Sequence, residues 1–164
     1  MMTRLKLGFL ASHGGSSMRA IVAAIGDGRL DAEARLVVSN NGDSPALAFA
    51  RDTGLTARHI NATTAGSAEL ADDQISTAMR EAGVELIVLS GYLRKLGPRV
   101  LADYRGRILN IHPALLPKYG GQGMYGRRVH EACIAAGDTV SGATIHLVDA
   151  DYDTGPILAQ VEVP

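Results

Sequence analysis

The segment Arg107–Tyr119, Arg-Ile-Leu-Asn-Ile-His-Pro-Ala-Leu-Leu-Pro-Lys-Tyr, holds the residues best suited to chemistry. Asn110 and His112 stand two apart in an apolar strand pattern, so their side chains project to the same side. Pro113 removes the next backbone donor and ends the ladder, which puts His112 at the strand's carboxyl end. An amide beside an imidazole can polarise a carbonyl and move a proton, and an unperturbed imidazole titrates at about 6.5. A neighbouring carboxylate would favour its charged form. Three candidates follow in the polar stretch His146–Gly155, read as the other half of the same site: Asp149, Asp151 and Asp153. Thr154-Gly155-Pro156 makes a tight turn around Asp153 and singles it out, while Asp149 and Asp151 read as solvated loop acids.

Two further segments carry possible binding chemistry. Ser12-His-Gly-Gly-Ser-Ser follows an apolar run and opens a helix. Its glycines let backbone N–H groups approach an anion, the helix terminus adds partial positive charge, and Ser16 and Ser17 offer hydroxyls. It lacks Gly-x-Gly-x-x-Gly and the lysine of a nucleotide P-loop, and it also fits a plain serine-capped turn. His13 reads as a solvated loop residue. Ser90-Gly-Tyr-Leu-Arg-Lys-Leu-Gly-Pro closes the most apolar strand, where ligands collect in parallel sheets. Leu93 and Leu96 can wall an apolar slot there, with Arg94 holding an acid or a ring; a helix cap with solvated Arg94 and Lys95 is the alternative. Gly120–Tyr125 is a glycine-rich loop that suits a lid or a simple surface connection, and Arg127, Arg128 and His130 follow it. No His or Cys pair has metal-ligand spacing, so no metal site is expected.

The elements that must position these residues alternate. Strands are expected at Leu7–Ala11, Leu36–Ser39, Thr56–Ile60, Leu86–Leu89, Arg107–His112, Gly142–Val148 and Ile157–Val163. Helices are expected at Met18–Gly26, from Ser44-Pro45 to Gly54, at Ser67–Gly83, Pro98–Tyr104 and Met124–Gly137. The order predicts a Rossmann-like α/β fold, its sheet mostly parallel with helices on both faces. The short link between the last two strands suggests an antiparallel hairpin, which makes the sheet mixed.

At 164 residues the chain is expected to form a single domain over 1–164. Its formal net charge of −1 gives no reason to expect nucleic acid. One cysteine, Cys133, rules out an intrachain disulfide and reads as a small apolar residue on an Ala-rich helix. No apolar run approaches the ~20 residues of a membrane span, so a cytoplasmic location with no membrane partner is expected.

The segment Leu109-Asn-Ile-His-Pro-Ala-Leu-Leu-Pro-Lys-Tyr, with Asp153-Thr-Gly-Pro downstream, resembles the folate-dependent formyltransferases, nearest to the branch acting on phosphoribosylglycinamide (GAR). The resemblance covers nearly the whole chain. It implies formyl transfer from 10-formyltetrahydrofolate, a co-substrate, to the GAR amine in purine synthesis. It also implies that Asn110, His112 and Asp153 are catalytic and that Gly15, Ser16 and Ser17 hold the substrate phosphate. Leu93, Arg94 and Leu96, with the backbone of Val148–Asp153 (Val148, Asp149 and Asp151 among them), would line the pterin pocket. Ser17 stands where the family usually has Asn. The family normally continues past the last strand into a covering helix, which is expected to be absent here. A monomer or homodimer acting on small molecules alone is expected. Alternatives are a formyltetrahydrofolate hydrolase, a transferase for another amine, or an inactive folate-binding relative.

Overall fold

The computed structural model describes residues 4–112, 115, 116, 118, 120, 127–138, 140–148 and 155–163. Two compact units divide the chain, Met1–Ile108 and Leu109–Pro164.

The first unit is built on four parallel strands: β1 (Leu5–Leu10), β2 (Ala32–Ser39), β3 (Thr56–His59) and β4 (Leu86–Leu89), in the order β3-β2-β1-β4. Helices α1 (Ser16–Gly26), α2 (Pro45–Asp52), α3 (Ala62–Ala65), α4 (Ala68–Glu81) and α5 (Pro98–Asp103) complete it. Alternation along β1 sends Leu7 and Phe9 into a core with Met18 of α1, Ala46, Leu47 and Ala50 of α2, and Val37 and Val88. Gly8 points the other way. A side chain there would collide with Met79 Sδ of α4 and lie 2.9 Å from Val84, so the glycine lets α4 pack close on that face. Both faces of the central strand are thus covered, as its unbroken apolar run predicts.

The helix starts follow local chemistry. Ser44 caps α2 by accepting from the Leu47 amide at 3.3 Å, with Pro45 in the first turn, and Ser67 caps α4 by accepting from the Leu70 amide at 3.1 Å. Gly83, at φ 72°, follows the end of α4 as its expected stop. Some boundaries differ from expectation, and one short helix is additional. Helix α1 begins at Ser16 rather than Met18, because Gly15 takes the left-handed conformation at the cap (φ 66°) and turns the chain early. Strand β2 starts at Ala32, four residues ahead of its apolar core, through half-buried Glu33 and Arg35 that pair at 3.2 Å. The short α3 has a capping box in which Asn61 accepts from Thr64 N and Thr64 Oγ1 accepts from Asn61 N.

The second unit holds β5 (Ile108–His112), α6 (Arg127–Ala135), β6 (Ser141–Leu147) and β7 (Ile157–Val163). The β6–β7 hairpin is antiparallel, as expected, and β6 also runs antiparallel to β5. With parallel strands in one unit and antiparallel strands in the other, the chain is α/β, Rossmann-like and mixed in strand sense. Gly142 admits the close approach of Val161 O and Leu115, which a side chain would block. Cys133 is buried, as an apolar residue on α6 should be. Among the described residues no helix is long and apolar enough to cross a membrane.

Candidate active site

In the first unit, the carboxyl ends of the parallel strands carry a connected set of buried hydroxyls. Gly15 ends the turn after β1; its positive φ and the Met18 Cε atom 2.8 Å from any added Cβ both demand glycine. The amides of Ser16 and Ser17 take no backbone carbonyl among the described residues, whereas Arg19 N already bonds Gly15 O. Two donors at a helix start, beside an exposed Ser16 and a half-buried Ser17, make a cradle suited to an anion. Gly15, Ser16 and Ser17 thus form the turn that opens α1.

The loop after β4 is fastened to that turn. Ser12 Oγ, in a side chain only 2% exposed, donates to Asn40 Oδ1 at 2.7 Å and accepts from the Leu93 amide at 2.8 Å. Ser90 Oγ accepts from the Met18 amide at 2.9 Å and lies 2.7 Å from Ser17 Oγ. At its far end the loop is held by buried Asp72 of α4, whose carboxylate accepts from the amides of Arg99 (2.8 Å) and Val100 (3.0 Å). Gly97 lies so close to that carboxylate that a side chain there would overlap it.

Tyr92, Arg94 and Leu96 from this loop help enclose a cavity of ≈ 400 Å³ together with Asn40, Asn61 and Ile75. Its volume is that of a small-molecule site, and apolar side chains such as Ile60, Ile75 and Val100 line it together with polar ones. Burial pushes the Tyr92 phenol up to about 12, the neighbouring Arg94 charge offsetting this only in part, so it stays a neutral hydrogen-bonding group at physiological pH. Arg94 and Leu96 thus meet on one cavity, while Leu93 contributes through its backbone bond to Ser12.

In the second unit, Asn110 faces His146 across the β5–β6 ladder and His112 faces Thr144. His112 is 3% exposed and His146 2%. Asn110 Nδ2 lies 3.2 Å from His146 Nε2, and His146 Nδ1 lies 3.1 Å from Leu147 O. A carbonyl only accepts, so Nδ1 carries the proton, Nε2 accepts, and Asn110 donates one of its two N–H groups. His146 therefore fixes the rotation of the Asn110 amide and leaves the second N–H as a donor. Sequence reasoning named His146 only as the start of a polar stretch; its opposition to Asn110 requires the strand register. Thr144 Oγ1 accepts from Leu116 N (3.1 Å) and from Gln160 Nε2 (3.0 Å), which ties the chain beyond Pro113 back to β6 and β7.

Asp149, Asp151 and Asp153 lie outside the described residues, as does the Gly120–Tyr125 loop apart from Gly120; Val148 is half-buried directly after β6. The two ends of the segment that carries the aspartates meet at a neck. Leu147 N donates to Pro156 O at 2.9 Å, and Gly155 sits against Leu147 O where no side chain fits. Arg128 and His130 are exposed on α6.

The second unit thus carries a half-buried amide and a buried imidazole two apart on β5, and the first a glycine-serine turn at the start of a helix. The family profile described as Formyl transferase matches residues 5–164, and the chain belongs to that family. It is similar to the chloroplastic phosphoribosylglycinamide formyltransferase of Arabidopsis thaliana, 39% identical over 161 residues, covering 98% of this chain and 55% of the relative. It is also similar to the phosphoribosylglycinamide formyltransferase of Escherichia coli, 34% identical over 155 residues, covering 94% of this chain and 71% of that protein. Among solved structures, the phosphoribosylglycinamide formyltransferase of Brucella melitensis superposes with a TM-score of 0.88 at 36% identity, covering 99% of this chain and 81% of that one. The chain spans about half the length of the plant relatives it matches.

Proposed function

We propose that this chain transfers the formyl group of 10-formyltetrahydrofolate to the amine of GAR, in purine biosynthesis. The observation that carries the reading is the placement of Asn110 and His112 on β5, with the Asn110 amide oriented by His146. Relatives named phosphoribosylglycinamide formyltransferase across most of the chain support it.

The amine attacks the formyl carbon, a C–N bond forms, and the carbonyl oxygen becomes an oxyanion. The second Asn110 N–H and a protonated His112 donate to that oxygen as charge develops. Asp153 keeps His112 charged and takes the amine's proton, directly or through water; the bond to the folate nitrogen then breaks and that nitrogen gains a proton. The Ser16 and Ser17 amides and hydroxyls, reached past Gly15, hold the phosphate of GAR. Leu93, Arg94 and Leu96, with Val148, Asp149 and Asp151, contact the pterin, and the folate acts as co-substrate. The whole of 1–164 works as one cytoplasmic formyltransferase domain on these two small molecules, as a monomer or homodimer.

The test follows folate product by absorbance after mixing 10-formyltetrahydrofolate and enzyme, with and without GAR. GAR-dependent release is expected. Release that ignores GAR would overturn the assignment in favour of hydrolysis, and release driven only by another amine would replace the acceptor.

A further inference from the structure

Two serines from distant parts of the first unit meet behind the anion cradle. Ser90 follows β4 and is 2% exposed; Ser17 is half-buried in the first turn of α1; their Oγ atoms lie 2.7 Å apart. A hydroxyl has one proton and two lone pairs. Ser90 Oγ already accepts the Met18 N–H at 2.9 Å, so its proton remains to be placed, and the Ser17 oxygen is the acceptor at hand.

We infer that Ser90 is a positioning residue of the phosphate cradle and acts through Ser17. This rests on the reading of Gly15, Ser16 and Ser17 as the phosphate site. A phosphate monoester at neutral pH is essentially an acceptor. With one seated, Ser17 donates its O–H to a phosphate oxygen and accepts the O–H of Ser90, so the two hydroxyls align as donors in series. Ser90 also accepts from the Met18 amide, which holds it in place beside Ser17. The arrangement suits this chain in particular. Ser17 stands where the family usually has asparagine, whose longer amide brings two donor protons of its own; the shorter serine gains a fixed donor direction from its buried neighbour.

The experiment is titration calorimetry of the 164-residue chain with inorganic phosphate, comparing Ser17→Ala, Ser90→Ala and the double variant, with thermal midpoints on the same samples. Ser17→Ala should weaken phosphate binding roughly tenfold, as loss of a hydrogen bond to a charged group does. Ser90→Ala should weaken it by about threefold, and the double variant should bind no worse than Ser17→Ala alone, because Ser90 then has nothing to act through. A purely structural role would instead show as additive losses. If Ser90→Ala does not fold, Ser90→Cys, of similar shape but a poor donor, carries the same expectation. Unchanged binding in Ser17→Ala would remove the phosphate reading and the relay with it. A weakened Ser17→Ala beside an unaffected Ser90→Ala, or losses that sum, would overturn the relay and leave the phosphate reading standing.

Discussion

The two units solve different problems with different atoms. In the first, the proposed anion binding falls to backbone amides at the start of α1, and buried side chains (Ser12, Ser90, Asp72) serve to hold loops in place. In the second, the proposed chemistry falls to side chains, Asn110 and His112 on β5, with the Asn110 amide held by His146 one strand away. A cradle of amides tolerates changes of side chain but not of backbone conformation; a pair of catalytic side chains tolerates the reverse. The first unit should therefore break at a glycine and the second at a functional group.

The largest effect is expected in the second unit. His112→Ala should lower kcat by about 10² to 10⁴, the usual range for a lost general acid or base. Steady-state formyl transfer checks it, and a rate near that of the parent would remove His112 from the chemistry. His146→Ala should cost roughly tenfold in kcat through the freed Asn110 amide, with the KM for GAR nearly unchanged. A loss in KM alone would show that His146 does not aim Asn110.

The first unit should fail differently. Gly15→Ala should destabilise the chain by about 1–2 kcal/mol, because an L side chain resists φ 66° and meets Met18, and should weaken phosphate binding. Chemical denaturation and phosphate titration measure both. If stability fell while binding held, the amides would not be the anion's ligands.

The smallest effect is expected at the end of α5. Asp103 accepts from Ser76 and Arg99, and these bonds hold its carboxyl below the usual carboxylate range. A depressed folded-state value contributes stability above the unfolded value of about 3.9, and that contribution is lost as pH falls through the lower folded one. Between pH 5 and pH 2 (roughly, from that same reference), Asp103→Asn should thus lose less stability than the parent chain. Equal losses in denaturant melts would show that the contact does not favour the charged carboxylate.

What could be read from the sequence follows the same division. Ser44-Pro45 and Ser67 announce their helices because a cap acts within three or four residues, and the apolar run of β1 announces a strand covered on both faces. Asn110 and His112 were legible because a two-residue spacing and a proline suffice to place them on one face. The early start of α1 was not, since it depends on the φ that Gly15 adopts, and nor was the front of β2, where Glu33 and Arg35 hide the strand pattern. His146 opposite Asn110, and Ser90 behind Ser17, are separated by 36 and 73 residues. Such pairs are products of register and topology, which no local pattern encodes.

The division of labour is tested most directly by single-turnover formyl transfer from 10-formyltetrahydrofolate to GAR, with the GAR dissociation constant measured on the same protein, for the parent chain and Asn110→Ala. The account predicts that Asn110→Ala binds GAR within about twofold of the parent and transfers about 10² to 10³ times more slowly, the cost of one lost oxyanion donor. Transfer at the parental rate, or a rate loss matched by an equal loss of GAR affinity, would contradict it.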